Sequence, residues 1–273
     1  MIDLKFIGRG SQTAHQSLNL TSFYFDMNDT LFIFECNTDT FRFMVNNEDS
    51  MIKKFSDIVI FCTTPNEISV SGLMALIQYL EDIGYRGRVK VFANPYYIKL
   101  FESMMPWYTP RYGKGFFRSV FELIASGVRV GFDFELKPMN EDITTLDPYS
   151  KFILKLPHTQ RNGSTYSNTP IQLGLIENDG KFNYLLSYTG ANSIDFTNPI
   201  VEQEIDKEFF DSASIVVSMD IFEKTNPDYF FSSIIRACDR EVLAKMELVG
   251  IKTPLEYKKY IEGFKDVFKV DSH

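Results

Sequence analysis

The stretch Ile60-Phe61-Cys62-Thr63-Thr64-Pro65-Asn66-Glu67-Ile68-Ser69-Val70-Ser71-Gly72-Leu73 decides how this chain is organised. With Asp57-Ile58-Val59 before it, it begins as a short, nearly continuous apolar run, the mark of a strand buried on both faces. The polar segment 63–67, broken by Pro65, ends the strand as a loop. Beyond Gly72, Leu73, Leu76, Ile77, Leu80 and Ile83 recur at helical spacing, and Gly84 and Gly87 stop the helix. A buried strand, a polar loop and an amphipathic helix thus follow one another, and Val89–Phe92 is the next strand.

Working outward, residues 2–7 read as a strand that ends in the turn Gly8-Arg9-Gly10-Ser11. Residues 20–26 and 30–36 read as aromatic strands joined by the turn residues Asp26-Met27-Asn28-Asp29. Residues 96–105 and 116–125 have helical spacing. Val128–Leu136, Ser150–Leu156, Ile171–Glu177, Tyr184–Tyr188, Ile215–Met219 and Met246–Val249 read as strands, with Asn178-Asp179-Gly180 as a hairpin turn. Tyr229–Leu243 and 254–268 read as helices. No repeat of fixed period and no linker-like composition interrupts residues 1–273, so one α/β domain with layered strands and helices is expected.

Composition narrows the function classes. The 26 Phe and 14 Tyr among 273 residues belong to a core-rich folded protein. A net charge of −8 argues against general attraction to nucleic acid, which runs on clustered Lys and Arg. No apolar run reaches the roughly 20 residues that a membrane-spanning helix needs. The first residues enter a strand pattern at once, without a signal peptide's layout. Cys36, Cys62 and Cys238 have no regular spacing and make no disulfide framework. A cytoplasmic setting without membrane attachment is expected.

Four segments, in order, resemble landmarks of the tRNase Z-like branch of the metallo-β-lactamase fold. Phe6-Ile7-Gly8-Arg9-Gly10-Ser11 is similar to its opening strand and Gly-x-Gly-Ser turn. Phe34-Glu35-Cys36-Asn37-Thr38-Asp39-Thr40-Phe41-Arg42 fits its Asp-Cys-Gly-x-Gly-Thr-x-Arg frame, with Glu35 for the Asp and both glycines gone. Residues 60–73 fit its strand, Thr-His-x-His-x-Asp-His loop and Gly-Leu helix start, with Thr63 and Gly72-Leu73 in place. Leu154-Lys155-Leu156-Pro157-His158 matches a strand that ends in His. The resemblance covers roughly residues 1–255 and rests on order and spacing. It implies a four-layer αββα sandwich of metallo-β-lactamase type, an α/β (α+β) class.

The resemblance also implies a site for two zinc ions, held by His nitrogens and carboxylates, that activate a bridging water against a phosphodiester. Here the ligand positions read Thr64, Asn66, Ile68 and Ser69, with His158 retained. Tyr188 stands where the bridging Asp belongs, and Gly250 where the last His belongs. The chain holds 3 His in all. Thr, Asn, Ile, Ser, Tyr and Gly supply neither the imidazoles nor the anionic bridge that two divalent cations need. No metal, no cofactor and no catalytic residue is therefore expected.

A Cys/His/Glu site from Cys36, Cys62, Glu35, Glu67 and His158 competes with the plainer reading of Cys36 and Cys62 as small buried hydrophobes at strand ends. His158 reads either as a phosphate-binding remnant or as an ordinary pocket histidine. The polar loop 159–169 offers Arg161 as an anion contact, or is simply a surface loop. No Gly-x-Ser-x-Gly elbow is present, and Gly8-Arg9-Gly10 is too short for a dinucleotide loop. The expected function is an inactive relative that binds a nucleotide, an RNA or a protein in the vacated cleft, as a homodimer or beside an active relative. The alternative is a phosphodiesterase with a reduced or rebuilt metal site. Segment 96–108, rich in Tyr, Phe, Met and Trp, is the expected dimer surface.

Overall fold

The computed structural model describes residues 2–11, 14–47, 52–63, 67–93, 133–138, 143–146, 151–155, 170–177, 179–190, 207–220 and 226–268. The expected helices at 96–105 and 116–125 lie outside them. Contacts divide the chain into two compact units, one of residues 3–7 and 22–139, the other of 1–2, 8–21 and 140–273.

The first unit is built on a six-stranded sheet in the order β1 to β6. Its strands are Lys5–Gly8 (β1), Ser22–Met27 (β2), Thr30–Phe34 (β3), Asp57–Cys62 (β4), Arg88–Ala93 (β5) and Asp133–Pro138 (β6). β2 and β3 form an antiparallel hairpin whose turn residues Asn28 and Asp29 have φ of 50° and 63°. Asn and Asp tolerate the left-handed conformation such a tight turn demands. β3, β4, β5 and β6 run parallel. One face of the sheet (Leu31, Ile33, Ile58, Ile60, Val89, Val91) packs under two helices, α1 (Thr38–Asn46) and α2 (Glu67–Asp82). The opposite face carries a band of buried rings. Phe23, Phe34, Phe61 and Phe92 stack in sequence across four strands, at centroid separations of 4.6, 4.9 and 5.7 Å.

In the β5–β6 register Asp133 stands opposite Arg88, and Glu135 opposite Lys90. Arg88 also grips Asp57 with two bonds of 2.6 and 2.7 Å.

The second unit holds the other six-stranded sheet, in the order β12-β11-β10-β9-β8-β7. Its strands are Ile143–Thr145 (β7), Phe152–Lys155 (β8), Ile171–Ile176 (β9), Phe182–Tyr188 (β10), Ser214–Ser218 (β11) and Met246–Val249 (β12). β10, β11 and β12 are parallel, and the rest of the sheet is antiparallel. Helices α3 (Pro227–Ala237) and α4 (Arg240–Ala244) and the C-terminal helical run cover one face. Phe230, Ile234, Leu243, Ile261 and Phe264 pack there against Ile215, Val217 and Leu248. The single helix expected at Tyr229–Leu243 is thus two, because Cys238 leaves the helical region and Asp239 caps a new start. The C-terminal run opens as α5 (Pro254–Glu256) behind a Thr253–Glu256 capping box. It passes through a π-helical turn (Tyr257–Glu262) and ends as α6 (Gly263–Phe268). Among the described residues no helix is long and apolar enough to cross a membrane.

Candidate functional site

In the first unit, the site positions lie where β3 and β4 end at neighbouring points of a parallel sheet. β3 stops at Phe34, two residues short of the expected strand, and Glu35 turns away with φ of 60°. A left-handed backbone costs a non-glycine residue about 1–2 kcal/mol, so something must hold it. Its N–H donates to the carbonyl of Phe61 at 2.8 Å, and its own carbonyl accepts the Thr40 hydroxyl at 2.9 Å. The Glu35 carboxylate, buried, accepts the Thr63 N–H at 3.2 Å and the Thr63 hydroxyl on the same oxygen. The last residue before the degenerate loop is thereby clamped to the end of the neighbouring strand.

Asn37 then starts α1, its side-chain oxygen accepting the N–H groups of Asp39 and Thr40 at 3.0 and 3.1 Å. This helix was not expected from the sequence. Its signal was the Asn cap, masked by an alternation of aromatic residues that looks strand-like. α2 comes so close that a methyl group on Gly72 would stand 2.0 Å from the Asn37 carbonyl oxygen. Gly72, in the second turn of α2, is there for backbone contact.

Of the predicted ligand-loop positions, Thr64 and Asn66 lie outside the described residues, as do His158 and Arg161. Ile68 and Ser69 fall in the opening turn of α2, which starts six residues before Leu73, where the apolar spacing placed it. Cys36 and Cys62 are fully buried in the helix-covered core. Burial pushes the Cys36 thiol well above its usual range, and Cys62 and Glu35 push it the same way. A metal ligand needs the thiolate, so this setting suits the reading of Cys36 as a buried hydrophobe.

In the second unit, the site positions are the ends of the three parallel strands β10, β11 and β12. Tyr188, at the close of β10, is fully buried and is among the largest enclosed side chains of the chain. Thr189 follows, and its hydroxyl accepts the N–H of Ser218 at 2.9 Å, from the end of β11. The Ser218 hydroxyl accepts the N–H of Asp220 at 3.1 Å. At the end of β12, the N–H of Gly250 donates to the Thr21 hydroxyl at 3.1 Å, which in turn donates to the Gly10 carbonyl at 2.8 Å. Gly250 has φ of +74°, and a methyl group there would meet Ser218 Oγ at 2.3 Å and the Asp220 nitrogen at 2.7 Å. Asp220 pairs with Lys252 at 3.3 Å.

These residues do not fit a pair of zinc ions. Tyr188 is an enclosed phenol, and Gly250 has neither a side chain nor space for one. Among the described residues, no three His, Cys, Asp or Glu side chains stand together as a metal site would require.

No protein-family model matches the chain, and no curated protein sequence does. Solved structures do. The metallo-β-lactamase fold protein YhfI from Bacillus subtilis aligns with a TM-score of 0.54 at 7% identity, over 98% of this chain and 93% of that one. A diphosphatase of the PhnP family aligns with a TM-score of 0.53 at 10% identity, over 92% and 96%. Human short-form tRNase Z aligns more loosely, with a TM-score of 0.48 at 11% identity over 98% and 89%, and adds no weight. The chain therefore has the metallo-β-lactamase fold, as its landmarks implied. Identities this low speak for the fold alone.

Proposed function

We propose that this chain is a metal-free member of the metallo-β-lactamase fold that has kept the scaffold of its ligand loop for binding. The supporting observation is the clamp from Glu35 to Thr63. The loop is still anchored at its root, by a buried carboxylate on a strained backbone, although the residues that would bind metal have been replaced. Strain that persists without the chemistry it once served points to a shape still in use. The bound partner is a nucleotide, an RNA or a protein, and the chain acts as a homodimer or as the inactive half of a heterodimer. Segment 96–108 is the proposed subunit surface, and His158 and Arg161 are the proposed contacts to an anionic ligand.

Protein purified without added zinc tests this directly. Elemental analysis is expected to find no stoichiometric metal, and mass spectrometry of the denatured sample a co-purified nucleotide or companion chain. Stoichiometric zinc that raises the melting temperature would overturn the reading. Light scattering is expected to give twice 31.6 kDa, or the mass of a complex.

A further inference from the structure

We infer that the ends of β10, β11 and β12 have been rebuilt as a closed lock, so that no metal or other ligand of this chain is coordinated from them. In an open site, side chains at strand ends present spare donors and acceptors to a ligand. Here the hydroxyls of Thr189, Ser218 and Thr21 bond to the protein's own backbone. Thr189 takes the Ser218 N–H, Ser218 takes the Asp220 N–H, and Thr21 bridges the Gly250 N–H and the Gly10 carbonyl. Thr21, Thr189 and Ser218 are all buried.

The turn after β1 is laced over the end of β12 in the same way. Ser11 donates its N–H to the Ile251 carbonyl at 2.8 Å, and Ile251 donates to the Arg9 carbonyl at 2.8 Å. Arg9, itself buried, reaches back to the Leu248 carbonyl at 2.7 Å and to Glu247 at 2.8 Å. A guanidinium bonded to both a carbonyl and a carboxylate holds this turn in one orientation.

Gly250 closes the lock. Its left-handed backbone and the close approach of Ser218 Oγ and the Asp220 nitrogen leave no volume for a side chain. The position where the resemblance places the last histidine is thus a packing point between strand ends. Reversion by a single substitution is blocked by backbone as well as by side chain.

Native-state hydrogen exchange on the wild-type protein reads the lock without any mutation. The amides of Ser218, Asp220 and Gly250 are expected to exchange as slowly as those in the middle of β11. Exchange at the rate of an open loop would overturn the inference. Gly250→Ala is expected to lower the melting temperature by several degrees, and an unchanged value would count equally against it. In a Tyr188→Asp/Gly250→His variant, micromolar zinc is expected to leave the melting temperature where it was. A zinc-dependent rise would show the strand ends to be an open ligand site. If that variant does not fold, the exchange measurement still decides. Neither readout depends on whether a ligand co-purifies, so the lock and the proposed binding function fail separately.

Discussion

The carboxylate of Glu35 accepts both the N–H and the hydroxyl of Thr63, a residue 28 positions later in the chain. The two meet because β3 and β4 are parallel neighbours that end level, with Phe34 opposite Phe61. Removing the acceptor leaves a buried N–H and hydroxyl to find new partners. Glu35→Ala is therefore expected to cost about 1–3 kcal/mol. Glu35→Gln keeps an acceptor oxygen and should cost less. Urea unfolding of the two variants checks the order, and an Ala variant as stable as wild type would show that the clamp holds nothing.

Gly72 sets helix α2 against the start of α1. Alanine normally favours a helix interior over glycine by about 1 kcal/mol. At this position the added methyl would stand 2.0 Å from the Asn37 carbonyl oxygen and 2.5 Å from that of Cys36. Both are backbone atoms, fixed by the cap of α1, and neither can turn aside. Gly72→Ala is expected to destabilise by about 1–3 kcal/mol, the usual cost of overpacking, despite its better propensity. Stabilisation in a denaturant series would mean that the helices stand farther apart.

How far the sequence could be read follows from what each feature depends on. β4 and β12 were legible to the residue because a short apolar run between polar breaks is a local signal. α1 was not, since Phe41, Phe43 and the neighbouring Thr residues carry strand-like chemistry, and the helix is decided by the cap at Asn37. The candidate site positions could be read only as substitutions within the resembled frame, without their surroundings. Gly250 reads in sequence as a missing histidine, whereas its left-handed backbone and the nearness of Ser218 come from the pairing of β11 with β12. Glu35 and Thr63 likewise acquire their bond only when two strands meet.

Stability should fall on the alkaline side. Burial raises the Cys36 thiol well above its ordinary value of 9.0 and the Cys238 thiol to about 11, with Asp239 adding to the latter. Burial, with Asp57 and Asp29 nearby, also raises the Tyr85 phenol above its ordinary 10.0. In each case the folded state holds its proton more tightly than the unfolded chain. The stabilisation is complete below the unfolded values, and declines above pH 9 as the unfolded chain releases protons that the folded one keeps. The unfolding free energy is expected to drop steadily from pH 9 to 11. Thiol labelling in the native state should find Cys238 first and Cys36 only on global unfolding. Stability that holds level to pH 11, or early labelling of Cys36, would contradict this.

Tyr188 gives the sharpest test of whether lost chemistry can be restored one residue at a time. It is fully buried at the end of β10, opposite Val216 of β11 and Ile171 of β9. Tyr188→Asp replaces a large enclosed ring by a small carboxylate. The ring leaves a cavity, and removing a buried aromatic side chain costs about 3–5 kcal/mol. A carboxylate buried there without a cation adds a desolvation penalty, which the side chain escapes by staying protonated. A protonated acid makes a poor bridge between metals, and one ligand cannot assemble a site that needs several, each oriented by its own neighbours. The variant is thus expected to be markedly less stable and to show no zinc-dependent hydrolysis of a generic phosphodiester such as bis(p-nitrophenyl) phosphate. Zinc-dependent turnover by this single variant, abolished by a chelator, would mean that the remaining ligands are already in place and that the chain is a hydrolase one residue short of activity.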